Sequence, residues 1–152
     1  MATLQSLNTD LMRGSAESEG KKELMTRPAA LLDGASILLV EDEYLIALDI
    51  EQVLYDLGAV AVRTAACVSE ALQQIASERP QLGILDVKLG NQSSTLVASE
   101  LVRLSVPFVF VTGYSDSQFI DPAHHLVPVL DKPVDVADFR MAISMAMSQR
   151  PD

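Results

Sequence analysis

Polar residues of a few types recur where short apolar runs stop. Glu41-Asp42-Glu43 follows Ile37-Leu38-Leu39-Val40, Asp86 follows Leu82-Gly83-Ile84-Leu85, Thr112-Gly113 follows Phe108-Val109-Phe110-Val111, and Asp131-Lys132-Pro133 follows a fourth run ending at Leu130. In a parallel α/β sheet, ligands bind outside the carboxyl ends of the strands, so these are the positions at which to look for chemistry. If the first and third of these runs are neighbouring strands, Glu41, Asp42 and Asp86 converge, and three carboxylates repel one another unless a cation sits among them. Hard oxygen donors in small number, with room for water and a phosphate oxygen, suit Mg²⁺ better than zinc or copper, with Asp42 and Asp86 as direct ligands. Lys132 can reach an anion held by that metal, and the Thr112 hydroxyl can hydrogen-bond it. Together these groups neutralise a phosphoryl group in transfer, and a carboxylate can accept it as an aspartyl phosphate.

The elements that must position these residues alternate in kind along the chain. Strands are expected at Ile37 to Glu41, Ala59 to Thr64, Leu82 to Asp86, Pro107 to Val111 and Val127 to Leu130, short and mostly apolar as strands buried on both faces should be. Helices are expected at Glu43 to Leu57, Val68 to Ser77, Ser94 to Leu104, Ser115 to Phe119 and Val134 to Ser148. Such alternation is the order of a parallel sheet with helices on both faces. Residues 1–34 read differently: the stretch Gly14-Ser15-Ala16-Glu17-Ser18-Glu19-Gly20 has the composition of a mobile tail, while Leu4, Leu7 and Leu11 offer at most one short amphipathic helix. The organised domain is expected over residues 35–149.

The 152 residues suffice for one domain and a tail. A formal charge of −10 opposes binding to nucleic acid or to an anionic membrane surface. Cys67 is the one cysteine, which excludes an intrachain disulfide and a cysteine-rich zinc site and fits a cytoplasmic setting. No apolar run approaches the roughly 20 residues of a membrane helix.

The four motifs, in this order and at this spacing, resemble the receiver domain of bacterial two-component response regulators over roughly Ser36 to Ser148. The resemblance implies a flavodoxin-like (βα)5 fold with strand order 2-1-3-4-5. It implies that Asp86 is the phosphorylated aspartate, that Asp42 ligates Mg²⁺ directly and Glu41 through water, and that the backbone carbonyl of Lys88 is a further ligand. Thr112, beside Gly113, resembles the switch hydroxyl, and Lys132 the family's lysine, followed by a cis bond to Pro133. Where members often carry a rotating aromatic three residues before that lysine, Val129 stands here. Phe110-Val111-Thr112-Gly113-Tyr114 is similar to the motif of the FAT GUY receivers of alphaproteobacteria, with Val111 for its alanine and Ser115 for its last tyrosine. Tyr114 is therefore the candidate switch aromatic.

The first predicted helix carries Ile46, Ile50, Val53 and Leu57 on one stripe for the core, and Tyr44, Leu45, Leu48 and Tyr55 on nearly the opposite side. In receivers the start of this helix docks the phosphoryl donor, so the second set is the candidate docking face. In the last helix Val136, Phe139 and Ile143 are expected inside, with Met141 and Met145 on a second stripe. His124 and His125, after Asp121-Pro122, read as a solvated loop, and Cys67 as inert.

The resemblance implies a stand-alone response regulator that takes its phosphoryl group from a sensor histidine kinase of the HWE or HisKA2 type, or from a histidine phosphotransfer protein, and signals to a further protein partner. A phosphate sink or relay intermediate is the alternative within signalling. A Mg²⁺-dependent phosphatase of the haloacid dehalogenase type also uses a nucleophilic aspartate, but wants a second one two residues on, where Lys88 stands.

Overall fold

The computed structural model describes residues 30–113 and 116–149. Five parallel strands form one sheet: β1 (Ser36–Val40), β2 (Ala61–Ala65), β3 (Leu82–Asp86), β4 (Phe108–Thr112) and β5 (Val129–Asp131), in the order β2-β1-β3-β4-β5. Among the described residues four α-helices accompany them: α1 (Tyr44–Asp56), α2 (Val68–Ser77), α3 (Thr95–Arg103) and α4 (Val136–Ser148). This is the flavodoxin-like receiver fold, and its strand order makes β1 and β3 neighbours.

Successive side chains of a strand point to opposite faces, and the strand sequences split their apolar residues accordingly. Ile37, Leu39, Ile84, Val109 and Val111 pack with Ala47, Ile50 and Leu54 of α1 and with Phe139 and Ile143 of α4. Leu38, Val40, Leu85, Phe108 and Phe110 pack with Ala71 and Ile75 of α2 and with Val97 and Leu101 of α3. The interior strands β3 and β4 are buried along their whole length, whereas the edge strands β2 and β5 are partly exposed. Gly83 lets α3 approach the sheet, because a Cβ there would lie 2.7 Å from Leu101 Cδ1 and 3.2 Å from Phe108 Cβ. Asp135 caps α4, its carboxylate accepting from the N–H groups of Ala137 and Asp138 at 2.8 and 3.2 Å. On the edge strand, Arg63 donates to the carbonyls of Gln74 and Glu78, closing the C-terminal end of α2.

Four expectations change. The packed unit begins at Leu31 rather than at residue 35: Leu32 is buried in the α1 side of the core and its N–H donates to Leu57 O at 2.9 Å. An apolar side chain beside a polar segment took its tail reading from that segment's composition, although its own burial is worth about 1.5–3 kcal/mol. Residues 1–29 of the expected tail lie outside the described residues. The connection from β4 to β5 carries two 3₁₀ turns, Asp116–Phe119 and Pro122–His124, where a helix over Ser115 to Phe119 was expected. His124 is not solvated: only 8% of it is exposed, and its ring lies edge-on to Phe108 and tilted against Phe110, with centroids 5.9 and 6.1 Å apart. Among the described residues the imidazole forms part of the cover over the two phenylalanines. On α4, Val136 is half exposed, while Phe139, Ala142, Ile143 and Ala146 form the inner stripe and Met141 and Met145 stay exposed. Beyond these, Cys67 N-caps α2 and its thiol is held below its ordinary value, first by the Ser69 hydroxyl and then by a backbone N–H of the helix start.

Candidate phosphoacceptor site

The register of the sheet delivers the site. Val40 pairs with Leu85, so the next residues, Glu41 and Asp86, stand side by side at the carboxyl ends of β1 and β3. Asp86 pairs in turn with Val111, and Thr112 with Asp131, which brings the ends of β4 and β5 to the same edge. One carboxylate oxygen from each of Glu41, Asp42 and Asp86 falls within 4.8 Å of the others. Glu41 and Asp86 are buried and Asp42 is exposed, so the cluster has a closed floor and an open mouth.

Lys132 supplies the positive charge of the floor. Its ammonium donates to Asp86 Oδ2 at 3.0 Å and forms an ion pair with Glu41 Oε1, with only 15% of the side chain exposed. Burial pushes the Lys132 ammonium down, but the Glu41 and Asp86 carboxylates outweigh burial and hold its pKa above the ordinary lysine value. The Lys132–Pro133 peptide is cis. Burial pushes the Glu41 carboxyl up to about 7; Lys132 opposes this, and the neighbouring Asp86 adds to it. Glu41 Oε2 accepts from the Glu43 N–H at 3.2 Å, whereas Oε1, although in ion-pair contact with Lys132, receives no well-directed hydrogen bond.

Loops define the rim. A two-stranded antiparallel hairpin, Lys88–Leu89 against Gln92–Ser93, follows β3 and turns through Gly90 at φ +60°. The Gly90 N–H donates to Asp42 Oδ2 at 3.0 Å, and the Lys88 N–H makes a long contact of 3.4 Å with Asp86 Oδ1. Thr112 is buried and its hydroxyl donates to Gly113 O at 3.1 Å rather than to Asp86. A side chain at Gly113 would crowd Asp116 Oδ2, 3.2 Å from an added Cβ. Tyr114 lies outside the described residues.

One largely enclosed ammonium paired with two of three clustered carboxylates, together with a buried carboxylate oxygen that lacks a directed donor, leaves negative charge uncompensated. A hard divalent cation on oxygen donors is what such a pocket fits. The sequence of residues 37–144, well over half of the chain, matches the response regulator receiver domain model. The chain belongs to that family. Receiver domains are signalling domains that interact with histidine kinases and bind Mg²⁺ at an acidic pocket, which sets aside the haloacid dehalogenase alternative.

The chain is 30% identical to the transcriptional regulatory protein PdtaR of Mycobacterium tuberculosis over 82% of its own length and 64% of that protein's. It is 35% identical to the phyllosphere-induced regulator PhyR of Methylorubrum extorquens over 73% of its own length and 43% of PhyR's. The chain thus spans less than two thirds of the curated relatives it matches. The solution structure of SdrG from Sphingomonas melonis Fr1 superposes with a TM-score of 0.66 at 37% identity, covering 75% of this chain and 97% of SdrG.

Away from the strand ends, Tyr44, Leu45 and Leu48 are exposed on the outer side of α1. Tyr55 is only partly free, since its hydroxyl accepts from the Val62 N–H at 3.2 Å and ties α1 to β2. Sequence reasoning missed a groove of about 370 Å³ between α1 and α4, beside Lys132 and Pro133 and lined by Ile46, Ile50, Val53 and Phe139. Ile46 and Val53 are half-buried at its wall rather than part of the sealed core. It also missed Phe119, whose ring lies against the Lys88 ammonium; nothing in the spacing of two loop residues thirty-one positions apart signals such a contact.

Proposed function

We propose that the protein is a cytoplasmic response regulator that catalyses its own phosphorylation on Asp86. In the transfer, an Asp86 carboxylate oxygen forms a bond to the phosphorus of a phosphohistidine donor. The phosphorus–nitrogen bond breaks, and its electron pair returns to the imidazole, which recovers a proton. Lys132, already on Asp86 Oδ2, is placed to pair with the phosphoryl oxygens as they gain charge. A rotation about χ1 frees the Thr112 hydroxyl from Gly113 O to donate to the same group. Asp42 and Asp86, the carbonyl of Lys88 and, through water, Glu41 would hold Mg²⁺, which supplies positive charge against the transferring phosphoryl group. The observation that carries this reading is the cluster of Glu41, Asp42 and Asp86 at the β1–β3 strand ends, with the Lys132 ammonium paired to Glu41 and Asp86.

The donor is a sensor histidine kinase of the HWE or HisKA2 type, or a histidine phosphotransfer protein, that docks on the exposed Tyr44, Leu45 and Leu48 at the start of α1, beside the mouth of the site. The signal leaves by protein–protein contact through the partly apolar surface of β5 and α4, where Val129, Met141 and Met145 are exposed.

Acid-labile phosphate on the protein after incubation with a small-molecule phosphodonor tests the reading. Asp86→Asn keeps the shape of the side chain without the nucleophile and should abolish labelling, as should EDTA. Undiminished labelling of Asp86→Asn would sink the assignment.

A further inference from the structure

Two loops frame the mouth of the site, and a cation–aromatic contact joins them. The hairpin after β3 is fastened to the carboxylates by the Gly90 N–H on Asp42 and the Lys88 N–H near Asp86. From that hairpin the Lys88 ammonium reaches across to Phe119, 5.3 Å from the ring centroid. Phe119 ends the first 3₁₀ turn after β4, and 46% of it is exposed. A cation over a solvent-facing ring is held weakly, by about two- to fivefold in equilibrium terms. Phosphorylation of Asp86 replaces the single negative charge of its carboxylate with nearly two and brings three acceptor oxygens, two residues from Lys88. Charge-assisted bonds to such oxygens are stronger than the ring's attraction, and a flexible four-carbon stem allows the ammonium to change partners without moving the backbone.

We propose that Lys88 is a shared ammonium that rests on Phe119 in the unphosphorylated protein and transfers to the phosphoryl oxygens on Asp86, so that phosphorylation releases Phe119 and loosens the Asp116–Phe119 turn. This rests on Asp86 being the phosphoacceptor. Lys88 thereby acts as a positioning residue for the phosphoryl group and as the link to the β4–β5 connection. The link needs no aromatic at Val129, because it leaves the site through the loops rather than through β5. It is biased in the required direction, since the 3₁₀ turn contains no buried side chain to hold it once the ring is free.

The test is a double-mutant cycle read by binding of beryllofluoride with Mg²⁺, followed by ¹⁹F NMR of the bound fluoride. Phe119→Leu removes the competing partner of Lys88 and should tighten binding about two- to fivefold. In a Lys88→Met background the same Phe119→Leu change should have no effect. In the wild-type chain, the Phe119 ring protons should shift on beryllofluoride binding, and in Lys88→Met they should not. An equal effect of Phe119→Leu in both backgrounds, no effect in either, or unmoved ring protons in the wild-type chain would each overturn the proposal. If the wild-type chain takes no beryllofluoride, or Asp86→Asn takes it equally well, the phosphoacceptor reading falls and this proposal with it.

Discussion

The two faces of the sheet are covered in different ways. On one face α1 and α4, thirteen residues each, lie over Ile37, Leu39, Ile84 and Val109 and enclose Phe139 and Leu32. On the other, α2 and α3 have ten and nine residues, and among the described residues beyond α3 the ring of His124, with Ile120 and Val127, packs on the cluster of Phe108 and Phe110. The site sits at the seam. Its lysine comes from the chain leading into α4, and its rim from the hairpin and the β4–β5 connection, whose Leu89, Ile120 and Val127 pack on the other face. A switch needs one part that holds the reactive groups still and another whose rearrangement costs only a few kcal/mol, and on the proposal above the two faces would divide these duties.

Substitutions can break the contrast or sharpen it. The largest effect is expected at Phe139, which is fully buried: Phe139→Ala should lower the free energy of unfolding by about 3–5 kcal/mol in denaturant titrations. Leu32→Ala follows, at about 2–4 kcal/mol, and a negligible loss would show that Leu32 only rests on the surface of the α1 side. His124→Ala should cost about 1 kcal/mol, the order of an aromatic edge contact, and the loss should be local. Hydrogen exchange should accelerate for amides of residues 116–128 while the slowest-exchanging amides of β1 and β3 stay put. A global loss as large as that of Phe139→Ala would remove the distinction between the faces.

A further test is a pH dependence. Glu41 titrates near 7 in the fold against an ordinary carboxyl value of 4.5, so between those values the folded protein keeps a proton that the unfolded chain gives up. The stabilisation is full below the lower value and is lost as pH rises through the upper one. Without divalent cations the melting temperature should therefore fall as pH rises from 4.5 to about 7, and Glu41→Gln should flatten that slope. A slope unchanged in Glu41→Gln would place the titrating group elsewhere.

The parts of this molecule that could be read from its sequence are those where local pattern and global position coincide. Asp86, Thr112 and the Glu41-Asp42 pair each end an apolar run, and the rule that α/β sheets bind ligands at carboxyl strand ends makes them a site before any coordinates exist. The strand order that makes β1 and β3 neighbours was carried by the family resemblance, since no local pattern encodes it. The hairpin at Lys88–Ser93 escaped notice because two-residue strands are too short to show alternation. His124 escaped because Asp121-Pro122 and a second histidine give it the composition of a surface loop, while its burial depends on two phenylalanines of a strand distant from it in local pattern. Leu32 and Phe119 were hidden for a related reason, as each matters through a partner far along the chain.

The edges of the sheet bear on how the protein behaves in a crowded solution. An edge strand that is long, flat and apolar invites another chain to add to it, and a sheet of this kind has two such borders. Here β5 has only three residues and closes on Asp131, while β2 carries Arg63 and Thr64 in mid-strand. Neither border offers a run on which a second chain could extend a ladder, and a net charge of −10 keeps like molecules apart. Concentrated samples should accordingly resist fibrillar self-assembly even when the β4–β5 connection opens, because that opening uncovers a face of the sheet and leaves its borders as they were.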